Sequence, residues 1–463
     1  MRYLLWIFFL LIAADCLADD YVLDEGLPVV WIETVNGEMP TATNVTHPDV
    51  EGAHGASITN ATKVPGSIKI TFKGETLYDS GDYADSKSGM TMKLRGNTSV
   101  FYSSKKKPFK VKLEKKNDLL CRGDNDKYAD KNWVLLPMTD KGLNNIVGLK
   151  VNELIVMQYT PAYKMVNVVI NDEFYGLYTL IEQVRRNADC RLNVDKNTGY
   201  IIECDPYWWN EDLYFKTNTL GKFFTFKYPE SEDITDEQLE FITGYMEAFE
   251  QSVVDGTYED YIDIESWTKW MLGHDILGTN DAAGSNIFVT KYDDAPESKL
   301  MMGNLWDFDT IEKTEDRWAN IHIDGWFYFK DLFSDKQQTF ARKYVEMYES
   351  LEPWLFDEID KWLKSYRKSE EGQAVKRSLK EDYRKWQYTE VVFDDHIADH
   401  REWFKQRREW MNDKVDDLVT GIKYMGIEVG DDETYYNMQG MRLKGSPTAR
   451  GIYIKGGKKI FVR

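Results

Sequence analysis

Gly273-His-Asp-Ile-Leu-Gly-Thr-Asn-Asp281-Ala-Ala-Gly-Ser-Asn286-Ile-Phe-Val289, followed by Leu305-Trp306-Asp307-Phe308-Asp309, is the stretch from which the rest of the sequence can be read. Its first part closes a predicted helix over Ile264–Leu277 and opens an apolar strand at Ile287, with a Gly-rich turn between. Upstream, the pattern is that of strands. Leu27-Pro-Val-Val-Trp-Ile-Glu-Thr runs into an Asn36-Gly37 turn, Ser67-Ile-Lys-Ile-Thr-Phe alternates, and so do Thr91-Met-Lys-Leu-Arg and Pro108-Phe-Lys-Val-Lys-Leu. Met165–Ile170 and Phe174–Ile181 flank Asn171-Asp172, a hairpin signal, and Gly199–Glu203 adds another strand. Helical spacing governs Asn144–Met157, Thr235–Val254, Tyr344–Arg367, Gly372–Gln387 and His396–Met425. A sheet-rich half followed by a helix-rich half predicts an α+β chain of two lobes with a cleft between them.

The spacing Asp281-x4-Asn286, then an apolar strand, then Asp307-Phe-Asp309, has a chemical logic. One carboxylate faces an attacking hydroxyl. The Asn turns back toward a metal held by a second carboxylate, and the metal neutralises charge on the β- and γ-phosphates of a nucleotide. Protein kinases are built this way. Asp and Asn also serve as ordinary turn and cap residues, so Asp-x4-Asn alone says little. The second carboxylate pair and the order of the lobes add the weight.

A phosphate-binding cation belongs on the sheet-rich side. Lys106 and Lys107, leading the strand Pro108–Leu113, are the candidates. Lys107 shares a face with Phe109 and Val111 and points inward if they do, while Lys110 and Lys112 fall on the other face and are expected in solvent. The competing reading makes Lys105–Lys107 an exposed basic loop.

Arg95-Gly-Asn-Thr-Ser99, Lys106-Lys-Pro-Phe-Lys-Val-Lys-Leu113, Trp133-Val-Leu-Leu136, Tyr175-Gly-Leu-Tyr-Thr-Leu-Ile-Glu182, Asp281…Asn286 and Trp306-Asp-Phe-Asp309 occur in the order found in the CotH (spore coat protein H) kinase family, which the chain resembles over roughly residues 27 to 425. The resemblance implies a two-lobed atypical protein-kinase-like fold that uses ATP and Mg²⁺ to phosphorylate Ser or Thr of a protein substrate. Carried over by position, Asp281 is the catalytic base, Asn286 and Asp307 are metal ligands, and Asp309 is an auxiliary one. Lys106 or Lys107 holds phosphates, and Arg95 and Ser99 line the phosphate side of the cleft. Glu182 either sits near the nucleotide as a hinge-like residue or pairs with the lysine. The pattern departs from ordinary kinases at three points: no Gly-x-Gly-x-x-Gly loop precedes the lysine strand, Asn280 stands where Arg usually precedes the base, and Asp309 replaces the Gly of Asp-Phe-Gly. Phosphate cover then falls to Gly96–Ser99, and activation-loop regulation through that Arg is not expected.

The 463 residues carry a formal charge of −20. So acidic a surface repels phosphate backbones, which argues against a nucleic-acid partner. Arg2, the short apolar run Leu4–Ala14 and Ala18 read as a secretory leader cleaved near Ala18. A lipid anchor through Cys16 and a retained anchor are the other readings; membrane contact is expected through this segment alone. The expected location is periplasmic, cell-surface or extracellular. The expected divisions are a leader over 1–18, a β-rich segment over 19–90, the kinase-like domain over 91–430 and a C-terminal hairpin tail over 431–463. That tail, with Gly456-Gly457 at its turn, resembles those of exported Bacteroidetes proteins. Cys121, Cys190 and Cys204 are too few for a disulfide scaffold; buried free thiols are expected, with a Cys190–Cys204 bridge the alternative.

Three weaker signals complete the reading. His396 and His400 lie four apart on a helix and can hold a metal, though a packed or solvated helix face is commoner. Tyr207-Trp208-Trp209 and Trp318…Trp326 are a platform for sugar or peptide, or core. The functional alternatives to a kinase are a non-catalytic kinase-like surface binding or adhesion module, and a metal-dependent hydrolase using Asp307 and Asp309.

Overall fold

The computed structural model describes residues 21–50, 58–96, 98–101, 105–280, 282, 286–314, 318–319, 327–388, 390–425, 435–436, 443, 447–448, 451–455 and 458–462. Ten strands lie in the chain up to Glu182: β1 (Val29–Thr34), β2 (Ala42–Val45), β3 (Ile58–Ala61), β4 (Val64–Phe72), β5 (Glu75–Asp79), β6 (Met90–Leu94), β7 (Phe109–Asn117), β8 (Asp130–Pro137), β9 (Tyr163–Ile170) and β10 (Glu173–Glu182). The expected hairpin is present, with Asn171 and Asp172 at φ 51° and 61°. Seven of these strands close on themselves in the order β1-β9-β10-β8-β7-β6-β4 and back to β1, while β5 hangs from β4 and β2 pairs with β3. Closure leaves those seven strands with no free edge. It was not anticipated from the alternation, which identifies faces but not which strand meets which.

The barrel is filled by alternate residues. Met90, Met92 and Leu94 of β6 and Phe109, Val111 and Leu113 of β7 point in, with Trp133, Val168 and Leu180 from other strands. Lys93 and Lys110 are therefore on the outer face. Lys112 is exposed, as expected, but Lys110 is half-buried. Lys110 is drawn out of solvent on a face where Arg185, Lys227 and Glu230 come within electrostatic reach of it.

A second sheet joins the expected strands at Gly199–Glu203 and Ile287 to three that the pattern did not single out. β11 (Tyr200–Cys204), β12 (Tyr214–Lys216), β13 (Phe223–Tyr228), β14 (Ile287–Lys291) and β15 (Leu300–Met302) run in the order β12-β13-β11-β14-β15. Around it are helices α1 (Asn144–Leu154), α2 (Asp236–Asp255), α3 (Ile264–Leu277), α4 (Thr339–Lys368), α5 (Glu370–Trp386) and α6 (Phe393–Met425). α2 opens with a capping box, Thr235 accepting from the Gln238 N–H and Gln238 returning to the Thr235 N–H. α3 is buried along most of its length, between α4 and the second sheet. α5 lies against β9 and β10 on the barrel wall.

The chain is thus mixed α+β, with a sheet-rich first half and a mainly helical second half. Cys121, Cys190 and Cys204 are free thiols. Tyr435–Tyr436, Gly451–Lys455 and Lys458–Val462 form a three-stranded antiparallel sheet in the tail; Gly456-Gly457 at its turn and the leader lie outside the described residues. Among the described residues no helix is long and apolar enough to cross a membrane.

Candidate functional site

α3 ends at Gly278, whose φ of 62° terminates the helix in the left-handed region. A side chain there would strike the Trp403 ring. Further along the chain Asn286, at φ 60°, leads into β14. On the neighbouring return, β15 leads through buried Asn304 and Leu305 to Asp307, at φ 63°. Both are non-glycine residues in the left-handed region, where Asn and Asp are the side chains best tolerated and where strain tends to collect at functional sites. The Asn286 Nδ2 donates to Asp307 Oδ2 at 3.0 Å. Two motifs 21 residues apart are joined by this bond.

The Asp307 turn is anchored from behind. The Asn152 Oδ1 of α1 accepts from the Leu305 N–H at 2.7 Å, and Asn144 Nδ2 donates to the Phe308 carbonyl at 3.3 Å. Phe308 is buried against Gly148, where any Cβ would overlap its ring. With Phe308 turned inward, Asp307 is exposed and Asp309 half-buried.

Arg95, at the end of β6, faces this turn from the barrel. Burial pulls its guanidinium pKa down, and the charges of Asp307, Asp309 and Glu203 oppose that. Gly96 follows at φ 81°, where a Cβ would meet the Ser99 hydroxyl, and Ser99 lies in a short helix over Thr98–Phe101. Arg95, Asn286, Asp307 and Asp309 are thus brought together. Asp281 lies outside the described residues.

The lysines are placed differently from one another. Lys106 is fully buried, its Nζ bonded to Asp382 Oδ1 at 2.6 Å and to the carbonyls of Met138 (3.0 Å) and Leu177 (2.5 Å). Burial pulls it down to about 8 in spite of Asp382. Asp382 Oδ1 also accepts the Leu177 N–H at 2.7 Å, so this pair fixes α5 to the barrel wall. Lys107 donates to the Val100 carbonyl at 2.5 Å, at the edge of the barrel core, on the inward side expected of it. Glu182, 1% exposed, accepts from Arg122 Nη2 (2.9 Å), Tyr159 OH (2.8 Å) and the Ala162 N–H (3.0 Å). Its ion pair is with Arg122.

Charged residues not singled out in the sequence surround Arg95. Glu203 bonds Lys227 at 2.5 Å, and both lie on the second sheet. Asp205 is pushed up to about 7 by burial and by Glu203, with Lys227 opposing. A Glu in the otherwise apolar strand Tyr200–Cys204 was the available signal: a carboxylate there must face a cation.

The weaker candidates resolve into packing. His400 is buried, its Nδ1 2.5 Å from Glu312 Oε1, and His396 packs beside it with Nδ1 accepting the Leu143 N–H at 3.2 Å. No group of three or more His, Cys, Asp or Glu placed to hold a metal ion occurs among the described residues. Trp208 stacks on Phe223 at 4.2 Å, and Trp318 packs edge-on to Trp410 at 4.9 Å; Trp326 lies outside the described residues.

A family model described as CotH kinase protein matches residues 92–411, from β6 into α6. No curated protein matches the chain.

Proposed function

The chain belongs to the CotH kinase family, and we propose that it is an exported atypical protein kinase that moves the γ-phosphoryl group of ATP to Ser or Thr hydroxyls of secreted or envelope proteins. Family membership supports kinase chemistry. The N-terminal leader pattern supports export. The observation that carries the reading is the Asn286–Asp307 bond between two left-handed residues, which joins the two halves of the motif at the mouth of the barrel.

The donor set is suited to Mg²⁺. Asp307 presents an exposed carboxylate, Asn286 an amide beside it and Asp309 a second carboxylate, all hard oxygen donors with no thiolate or imidazole among them. Mg²⁺ bound there would neutralise charge on the transferring phosphoryl group. The strained backbone at Asn286 and Asp307 fixes these donors before any ligand arrives, and Phe308 against Gly148 holds the turn in place. Arg95 supplies positive charge from the opposite wall. Asp281, five residues before Asn286, orients the acceptor hydroxyl and takes its proton as the oxygen bonds the γ-phosphorus and the bond to the ADP oxygen breaks.

The surface-module reading draws on aromatic clusters, of which Trp208 is buried on Phe223 while Tyr207, Trp209 and Trp318 are half-buried. The kinase reading is tested by incubating the mature chain with γ-labelled ATP and Mg²⁺ beside Asp307→Ala. Label on Ser or Thr of protein, lost in the variant, is expected. Release of free phosphate with no protein label would favour a hydrolase, and neither product would leave a binding module.

A further inference from the structure

β6 and β7 carry a second set of cations, on the face opposite to Lys107. The antiparallel register places Lys93 directly opposite Lys110. Side chains so paired lie about 5 Å apart at Cβ, and like charges there are destabilising. An exposed pair would splay into water, but both are half-buried. Burial pulls Lys110 down to about 8, and Lys93, Arg185 and Lys227 add to this while Glu230 opposes it. Lys93 is lowered by burial and by Lys63, against Glu211. Of the nearby carboxylates, Glu230 bonds Arg185 at 2.7 Å and Glu203 bonds Lys227 at 2.5 Å, while Glu211 acts on Lys93 without an ion pair. Among the described residues neither the Lys93 nor the Lys110 ammonium makes a hydrogen bond or ion pair.

Arg95 follows Lys93 by two residues on the same face of β6, about 6.6 Å along the strand. The three cations therefore form a strip that ends beside Asp307 and Asp309. The phosphotransferase reading needs a phosphate-holding cation, and Lys106 is committed to Asp382 and two carbonyls.

We propose that Lys93 and Lys110 together form the seat for the inner phosphates of the nucleotide, with Arg95 continuing it toward the metal-binding carboxylates. This rests on the kinase reading. A half-buried strip suits a small polyanion better than an acidic stretch of polypeptide, because a chain needs an open groove. Holding two half-buried ammonium groups together without a direct ion pair costs the unliganded protein stability, which the bound polyphosphate restores.

The test is calorimetric titration of the full chain with MgATP, with melting temperatures taken without ligand. Lys93→Met and Lys110→Met should each weaken ATP about tenfold or more, the scale of a lost charge-assisted hydrogen bond. Their unliganded melting temperatures should hold or rise, opposite in sign to what a structural lysine would give. Lys110→Arg should keep most of the affinity, and Lys112→Met, at an exposed position on the same face, all of it. Wild-type ATP affinity in both Met variants would overturn the inference, while loss of protein label in Asp307→Ala would leave the kinase reading standing. A raised KM for the acceptor protein at unchanged ATP affinity would assign the pair to an acidic acceptor and overturn the inference too. Failure of the wild type to bind ATP at all would sink the kinase reading itself.

Discussion

Lys106 and Lys110 are four residues apart and have been put to opposite uses. Lys106 is sealed in the wall with a carboxylate and two carbonyls around its ammonium. Lys110 is half-buried beside another lysine, with no acceptor of its own among the described residues. The first arrangement is complete without a ligand. The second becomes favourable only when an anion arrives. Burial alone does not separate a structural cation from a binding one; the inventory of acceptors does.

The largest effect expected from this contrast is at Lys106. Lys106→Met leaves Asp382 buried without its cation and should cost about 3–5 kcal/mol, the scale for breaking one side of a buried pair. Lys106→Met combined with Asp382→Leu should recover much of it, because both charges are then gone. Denaturant unfolding of the single and double variants measures the difference; a single variant as stable as wild type would break the contrast.

Next in size is Gly148→Ala. Its methyl group would meet the Phe308 ring, and overpacking of that kind costs about 1–3 kcal/mol. Since Phe308 sets the Asp307 turn, phosphotransfer should fall further than the melting temperature implies. Equal loss of both would show that the turn is not the sensitive element.

The pH dependence sharpens the contrast at Lys110. Its pKa lies at about 8 in the folded chain against an ordinary 10.5, lowered by burial and by its cationic neighbours. Between those values the unfolded chain holds the proton and the folded chain releases it, so this group makes stability rise with pH across the window. Lys110→Met should flatten that rise, as read by urea midpoints at pH 8 and pH 10. An unchanged rise would place Lys110 in solvent. The smallest effect belongs to Lys112→Ala: exposed on the same strand, it should move stability by no more than about 0.5 kcal/mol.

Much of this was legible in the sequence where one residue's neighbours along the chain decide its fate. The Thr235 cap, the Ile264–Leu277 helix, the Asn171-Asp172 hairpin and the inward face Phe109–Val111–Leu113 all depend on local spacing, and each is where the pattern put it. The barrel's closure depends on β1 meeting both β4 and β9, partners some 35 and 135 residues away, which alternation cannot specify. The same limit applies to the cations. Lys106 and Lys107 were attractive for their place in a motif, but Lys106's true partner is Asp382, 276 residues on. Lys110 was expected in solvent because strand alternation shows which face a residue takes and not what covers that face. Asn286 and Asp307, by contrast, were legible as a pair because the chemistry of their types at that spacing asks for a common ligand.

The most direct measurement of the central claim is Mn²⁺ binding in the presence of ATP, followed by electron paramagnetic resonance in wild type, Asn286→Ala and Asp307→Ala. If Asn286 and Asp307 hold the metal of a bound nucleotide, the bound Mn²⁺–ATP signal appears in wild type, weakens in Asn286→Ala and disappears in Asp307→Ala. An identical bound signal in all three would contradict the account.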